Sequence, residues 1–285
     1  MKHVLANTGT RHLQLNMESK ARLNNGVEIP LLGLGVYQTP PGNVTEHVVS
    51  YALKIGYRHI DTASLYGNES DVGKAIHQSG LRRDEVFITT KVWNSDQGYS
   101  NTIQACEKSL RRLGLAYVDL YLIHWPVQGL GDETWKAMTK ILRENKVRAI
   151  GVSNYEIHDI EDLLRASNGV TLPAVDQVEF HPFLYRTQLS KYCKEKKIQL
   201  EAYSPLTRAK RLNHGTLVKI AKKYEKTPAQ ILIRWGLQHY LVVIPKSTHQ
   251  DRIMENCKVF DFQLEQGDML LLDSLNENLQ TVFLD

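Results

Sequence analysis

The chain has 285 residues, 42% of them apolar, with 35 basic against 31 acidic side chains and a formal net charge of +4. That is apolar material for a full core and length for one large or two small domains. The charge surplus is too thin and scattered for a nucleic-acid or membrane surface, and no run approaches the ~18 apolar residues of a membrane span. Three cysteines, Cys106, Cys193 and Cys257, are odd in number and lack C-x-x-C spacing, which argues against a disulfide framework or a cysteine-rich zinc site. Residues 1–16 contain no apolar run of a secretory signal, so a reduced, cytoplasmic protein is expected.

Residues 1–20 are polar and aperiodic and are expected to form a flexible extension, with Met17 an alternative start. Residues 21–285 show no linker composition and read as one domain. Ala21 to Ile29 reads as a hairpin around the turn pair Asn25-Gly26, placed to plug one end of the fold that follows. Eight short apolar runs then recur: 32–36, 57–60, 86–92, 118–124, 147–152, 174–178, 198–203 and 241–244. Between them, segments such as 44–55, 102–112, 133–144, 157–166 and 217–224 carry apolar residues at spacings of three and four. Strand–helix alternation of this kind implies parallel βαβ units, and eight of them match a closed (β/α)8 TIM barrel.

In such a barrel the chemistry sits where the strands stop. The strand ends are Asp61, Lys91, His124, Ser153-Asn154, Gln177, Tyr203-Ser204 and Lys246-Ser247. Burying a charge costs several kcal/mol unless it is paired, so an acid, an amine and an imidazole at one mouth demand a function. Tyr66 lies five residues beyond Asp61. A free phenol is a poor acid at neutral pH. A neighbouring ammonium such as Lys91 is expected to lower its pKa, with Asp61 anchoring the amine and His124 orienting a carbonyl oxygen. The set suits protonation of an oxygen on which negative charge develops.

These residues carry a resemblance. Gly56 to Ala63 (GYRHIDTA) with Tyr66-Gly67-Asn68-Glu69 resembles the first signature of the aldo-keto reductases, and Leu120 to Pro126 (LYLIHWP) the second. Ile244 to Thr248 (IPKST), followed by Arg252-Ile253 and Glu255-Asn256, resembles the third, and the likeness spans residues 22–279 in family order. It is nearest to bacterial-type reductases of small aldehydes, dicarbonyls and diketo sugar acids.

The resemblance implies that Tyr66 is the proton donor, tuned by Lys91 and Asp61, with His124 orienting the substrate. It implies hydride from NADPH, with NADH disfavoured. Ser153, Asn154 and Gln177 would hold the carboxamide, and Tyr203 would stack under the ring. Ser204 and Leu206 would lie toward the pyrophosphate, with Val36 bordering the cofactor. Lys246, Ser247, Thr248 and Arg252 would face the adenosine 2′-phosphate, and Glu255 and Asn256 the adenine. Two cations and a hydroxyl suit a phosphate dianion. Tyr37, Trp93 and Trp125 match the walls of the carbonyl site, whereas Trp135 and Trp235 fall within helical segments.

Competing motifs fail. Gly33-x-Gly35 runs into Gln38 where a third glycine is needed, so the Rossmann fingerprint is absent. No H-E-x-x-H or H-x-H pair supports a metal site, and none is expected. His181 reads as a structural loop histidine. Glu179 is a weak candidate for the base of a barrel isomerase. Two departures from the family stand out: Thr207 to Arg211 (TRAKR) where a glycine is usual, offering three cations to anions nearby, and a C-terminus without the usual closing tail. The short polar loop 94–99 suggests an open mouth. The partner expected is a small carbonyl compound met by a monomer; the alternative is a cofactor-sensing binding module on the same fold.

Overall fold

The computed structural model describes residues 15–166 and 171–284. The flexible extension expected at residues 1–20 falls mostly on residues 1–14, outside the described residues. Leu15 and Met17 pack against the core, and pairing begins at Lys20.

Strand β1 (Lys20–Arg22) pairs antiparallel with β2 (Glu28–Pro30). Their turn is not the two-residue form expected from Asn25-Gly26. The Gly26 N–H donates to Leu23 O and the Leu23 N–H to Val27 O, which makes a three-residue loop with Gly26 at φ 88°. The two-residue I′ turn needs positive φ at both central residues, and Asn25 is spared that conformation. The loop amides serve as anchors instead. Asn24 Nδ2 donates to Pro173 O at 2.8 Å and Asn25 Nδ2 to Arg148 O at 2.9 Å, while Leu23 and Ile29 are buried. These acceptors lie where two barrel strands begin, so the hairpin covers the N-terminal end of the barrel.

Eight parallel strands follow: β3 (Leu34–Gly35), β4 (His59–Asp61), β5 (Phe87–Val92), β6 (Val118–Ile123), β7 (Val147–Ser153), β8 (Val175–Glu179), β9 (Gln199–Tyr203) and β10 (Val242–Val243). Each bonds to the next in chain order. The bridge Leu32↔Val243 and the bond from Gly33 N–H to Val243 O join first to last and close the ring. β3 and β10 are shorter than their apolar runs because the closure is carried by isolated bonds.

The helices are α1 (Asn43–Lys54), α2 (Glu69–Gln78), α3 (Tyr99–Leu113), α4 (Gly131–Arg143), α5 (Ile157–Ala166), α6 (Thr187–Lys196), α7 (Gly215–Lys223), α8 (Pro228–Gln238), α9 (Gln250–Cys257) and α10 (Gln266–Asp273). α8 shows why one begins where it does. Thr227 accepts from Gln230 N–H, Gln230 answers to the Thr227 N–H, and Pro228 at the first turn needs no donor. Both tryptophans read as helical, Trp135 on α4 and Trp235 on α8, are buried in the core.

The inner wall of the barrel is unusually polar. His59 and Asp61 on β4, Thr89 and Lys91 on β5, Gln177 on β8 and Glu201 on β9 are all buried and joined to one another. Gly33 makes room for this layer: a Cβ there would lie 2.7 Å from His59 Nδ1 and 2.9 Å from Ile244. Gly33→Ala is therefore expected to destabilise by about 1–3 kcal/mol, the usual range for overpacking, read as a lower denaturant midpoint at unchanged slope.

Candidate active site

Two-residue periodicity turns Asp61 and Lys91 into the barrel, and β4 and β5 are neighbours. Lys91 Nζ donates to Asp61 Oδ1 at 2.7 Å and Oδ2 at 2.8 Å, to Thr62 O at 3.0 Å and to Tyr66 Oη at 3.3 Å. Tyr66 closes a short turn, Ser64–Tyr66, that is pinned on both sides. Ser64 Oγ donates to Lys91 O, and buried Asn68 donates to Val36 O while accepting from Thr62 Oγ1. His124 follows β6, its N–H bonded to Val92 O. Its ring meets Tyr66 edge-on at 5.6 Å between centroids and Trp93 at 5.1 Å, and Tyr37 lies 5.0 Å from Tyr66. Phenol, amine, carboxylate and imidazole from distant sequence positions thus meet.

The electrostatics differ from expectation in one respect. Lys91 was expected to lower the Tyr66 pKa, yet the phenol is held well above its ordinary value, first by burial, then by the Asp61 charge. With both Asp61 oxygens on Lys91, the pair presents little net charge to its neighbour. Tyr66 is therefore a protonated donor at rest. Burial and Lys91 push His124 well below its usual range, so the ring is neutral. Its Nδ1 is buried without a hydrogen bond, which favours the proton on Nε2. Burial raises Asp61 while the Lys91 charge and the bonds from Lys91 and Gln177 oppose the rise.

Beneath this set lies a layer of which the sequence reading named only Gln177 and missed Glu201 and His59. Gln177 Nε2 donates to Asp61 Oδ2 at 2.8 Å and to Glu201 Oε2 at 2.9 Å. Glu201 Oε1 stands 3.5 Å from His59 Nε2, which is also 3.1 Å from Thr89 Oγ1. Burial, then Asp61, push Glu201 up to about 8, and burial, then Lys91, bring His59 down to about 3. A signal existed: Glu201 interrupts an apolar run two residues before Tyr203, on the same face.

A cavity of about 460 Å3 opens above, lined by Asp61, Tyr66 and His124. Of the other expected residues, Tyr37, Trp93, Trp125, Ser153, Asn154, Gln177, Tyr203, Ser204, Leu206 and Lys246 line it. Val36 does not: it is fully buried, its carbonyl held by Asn68. Ser247, Thr248, Arg252, Glu255 and Asn256 also lie off this cavity. Thr248 borders a separate depression with His47 and Gln250, and Ser247 is buried and bonded to His249. Asn256 is buried. Glu255 accepts from Thr227 Oγ1 at 2.5 Å rather than pairing with Arg252. Arg252 is exposed and, among the described residues, without an ion-pair partner.

Both departures from the family turn out to shape the mouth. Only one of the three new cations lines the cavity: Arg208, whose Nη2 donates to Gln38 Oε1 at 3.0 Å. Arg211 is tied to Glu277, and Lys210 is exposed away from the cavity. Thr207, Arg208 and Ala209 all sit at positive φ without glycine, as do Ser204, Asn154 and Gln38 nearby. The C-terminal segment, though it was expected to lack the usual closing tail, reaches the mouth: Val282, Phe283 and Leu284 line the cavity. Glu179 holds this segment. It accepts from the Thr281 N–H at 2.8 Å, the Val282 N–H at 3.1 Å and the Thr281 hydroxyl, while His181 Nε2 stands 3.2 Å away. Burial raises Glu179, but the bonds from His181 and Thr281 bring it below its usual value. It is a clamp off the cavity, so the isomerase reading loses its base, and His181 is structural as expected.

The buried acid Glu201 carries a pH signature. Unfolded, it ionises near its ordinary value of about 4.5; folded, near 8, so the native state holds the extra proton between them. The stability this provides is complete below the lower value, falls as pH rises through the window and is gone above the upper. Asp176 is raised in the same direction by burial. Glu201→Gln is expected to shrink, without abolishing, the fall in Tm between about pH 5 and pH 8, measured by thermal unfolding.

Comparison with known proteins agrees with this geometry. Residues 32–277 match the Aldo/keto reductase family. The chain is 50% identical to the oxidoreductase YtbE of Bacillus subtilis, covering 95% of this chain and 96% of that one. It is 49% identical to glyoxal reductase of the same organism, over 92% and 95%. Among solved structures, a variant of Gox0644 in complex with NADPH superimposes with a TM-score of 0.87 at 40% identity, over 91% of this chain and 94% of that one. The chain belongs to the aldo/keto reductase family of oxidoreductases.

Proposed function

We propose that the protein is an NADPH-dependent reductase of aldehydes and ketones with Tyr66 as proton donor. The observation that carries this reading is the bond from Lys91 Nζ to Tyr66 Oη, with both Asp61 oxygens on the same amine, at the floor of a cavity that His124 also lines. The residues present fit a dinucleotide phosphate. Among the described residues, Gln177 Oε1 at the cavity wall has no donor, and Lys246 and Arg208, which line the cavity, have no carboxylate partner. Exposed Arg252 suits the 2′-phosphate, with Lys246, Ser247 and Thr248 nearby in sequence and Glu255 and Asn256 toward the adenine. Tyr203, Ser204 and Leu206 would line the cofactor's path.

The bound cofactor supplies hydride, which no side chain can. The protein's part is proton placement. His124 Nε2–H donates to the substrate carbonyl oxygen and orients it. As negative charge grows on that oxygen, Tyr66 passes it the phenolic proton, and the Lys91 N–H already on Tyr66 Oη holds the resulting phenolate. Asp61 keeps the amine in place, and the phenol regains its proton from solvent. Tyr37, Trp93 and Trp125 exclude water and so strengthen these interactions.

Small aldehydes and dicarbonyls are the proposed substrates, supported by the likeness to glyoxal reductase, with diketo sugar acids included by family resemblance. A monomer is proposed by family resemblance. Cys106, Cys193 and Cys257 are all free, which supports a reducing, cytoplasmic setting.

NADPH consumption with glyoxal and with aromatic aldehydes tests the reading; cofactor bound without turnover would favour a binding module instead. Tyr66→Phe is expected to lower kcat by about 10²–10⁴-fold, the worth of a positioned acid, at unchanged NADPH affinity; retained turnover overturns the assignment. Arg252→Ala is expected to weaken NADPH binding by roughly 10–100-fold, as for a lost charge-assisted bond, and to leave NADH unaffected in the same titration.

A further inference from the structure

We infer that Glu201 is a positioning residue: with Asp61 it takes both N–H groups of Gln177, so that the Gln177 carbonyl oxygen is the group presented to the cavity. Gln177 and Glu201 are register partners on β8 and β9, which sets their side chains side by side inside the barrel. A primary amide has two N–H donors. One reaches Asp61 Oδ2 at 2.8 Å and the other Glu201 Oε2 at 2.9 Å. Turning the amide over would set its oxygen against the Asp61 carboxylate. Asp61 alone, however, leaves the amide free to swivel about a single contact. The second acceptor fixes its plane.

The neighbours on the same wall are already occupied. Asn154 Nδ2 donates to His124 O at 3.0 Å and to Ser153 Oγ at 3.1 Å, and Asn154 Oδ1 accepts from the Tyr203 hydroxyl at 2.7 Å. Ser153 Oγ donates to the Gln177 main-chain oxygen at 2.7 Å. Among the described residues Gln177 Oε1 is thus the acceptor left open on this wall, and it selects a ligand that offers an N–H. On the nicotinamide reading, on which this inference rests, that donor is the carboxamide NH2.

The nature of residue 201 fits this role. An ionised acid here would put a second negative charge beside Asp61. Burial keeps Glu201 protonated at neutral pH, so it contributes an acceptor without a charge. The proton has a place on Oε1, 3.5 Å from Nε2 of the neutral His59 ring, leaving Oε2 free to accept from Gln177.

The test compares equilibrium binding, by quenching of tryptophan fluorescence, of NADPH and its reduced 3-acetylpyridine analogue, in which the carboxamide NH2 is replaced by a methyl group. Wild type is expected to prefer NADPH by about 10-fold, the worth of one hydrogen bond. Glu201→Leu and Glu201→Ala, which remove the acceptor, are expected to reduce that preference below about 3-fold, whereas Glu201→Gln, whose Oε1 can still accept, keeps the wild-type ratio. A merely structural role would lower Tm in all three and leave the ratio unchanged. Either folded acceptor-less variant with the wild-type ratio overturns the inference, and so does equal affinity of wild type for the two ligands. Failure of wild type to bind NADPH at all would instead overturn the functional reading beneath it.

Discussion

The structure is organised around one buried ion pair. Lys91 is fully buried, and Asp61 nearly so. Desolvating two such charges is repaid only when geometry is good and every remaining donor is met. Here all of the amine's hydrogens have acceptors in the Asp61 carboxylate, Thr62 O and Tyr66 Oη, and the carboxylate gains a further donor in Gln177. Each of these bonds ties a different strand or loop to the same point: β4, β5, the loop after β4, and β8. The pair therefore fixes where Tyr66 stands, and through Gln177 it reaches the opposite wall of the barrel.

A second constraint follows from putting so much polarity inside a barrel that is usually filled with branched apolar side chains. Below the pair, the acid and the imidazole are neutralised rather than paired as ions: Glu201 is raised and His59 lowered, in both cases chiefly by burial. This inner-wall layer thus combines the Lys91–Asp61 ion pair with neutral hydrogen-bonding groups. The mouth is built on other terms. Gln38, Asn154, Ser204, Thr207, Arg208 and Ala209 hold left-handed conformations without glycine, a concentration of backbone strain that accompanies functional sites. Among the described residues Arg208 and Lys246 have no carboxylate partner there, and burial, then the charge of Arg208, lowers the Lys246 ammonium.

Much of this was legible in the chain. The eight strands and the mouth residues Asp61, Lys91, His124, Asn154, Gln177 and Tyr203 followed from alternation and from polar residues closing apolar runs. The limits of that reading have physical causes. Asn25-Gly26 promises a two-residue turn, but a loop whose amides bond to Pro173 and Arg148 obeys the surface it lands on. Val36 sits beside a site residue in sequence, yet alternation turns it into the core. The C-terminal segment contains no motif, and its return to the mouth depends on Glu179, which lies 102 residues away from Thr281 in the chain.

What the sequence by itself determined is the order and type of the elements and the chemical inventory at their ends, because periodicity and residue type are local properties. Only the tertiary structure decided which groups share a proton, which charges are cancelled and which hydrogen bonds are left open. Lys91 serves Tyr66 as a hydrogen-bond donor rather than as a free charge because Asp61 neutralises it at contact distance. Glu201 is an uncharged acceptor rather than a surface acid because eight strands enclose it. Both outcomes depend on solvent exclusion, which exists only once the barrel has closed.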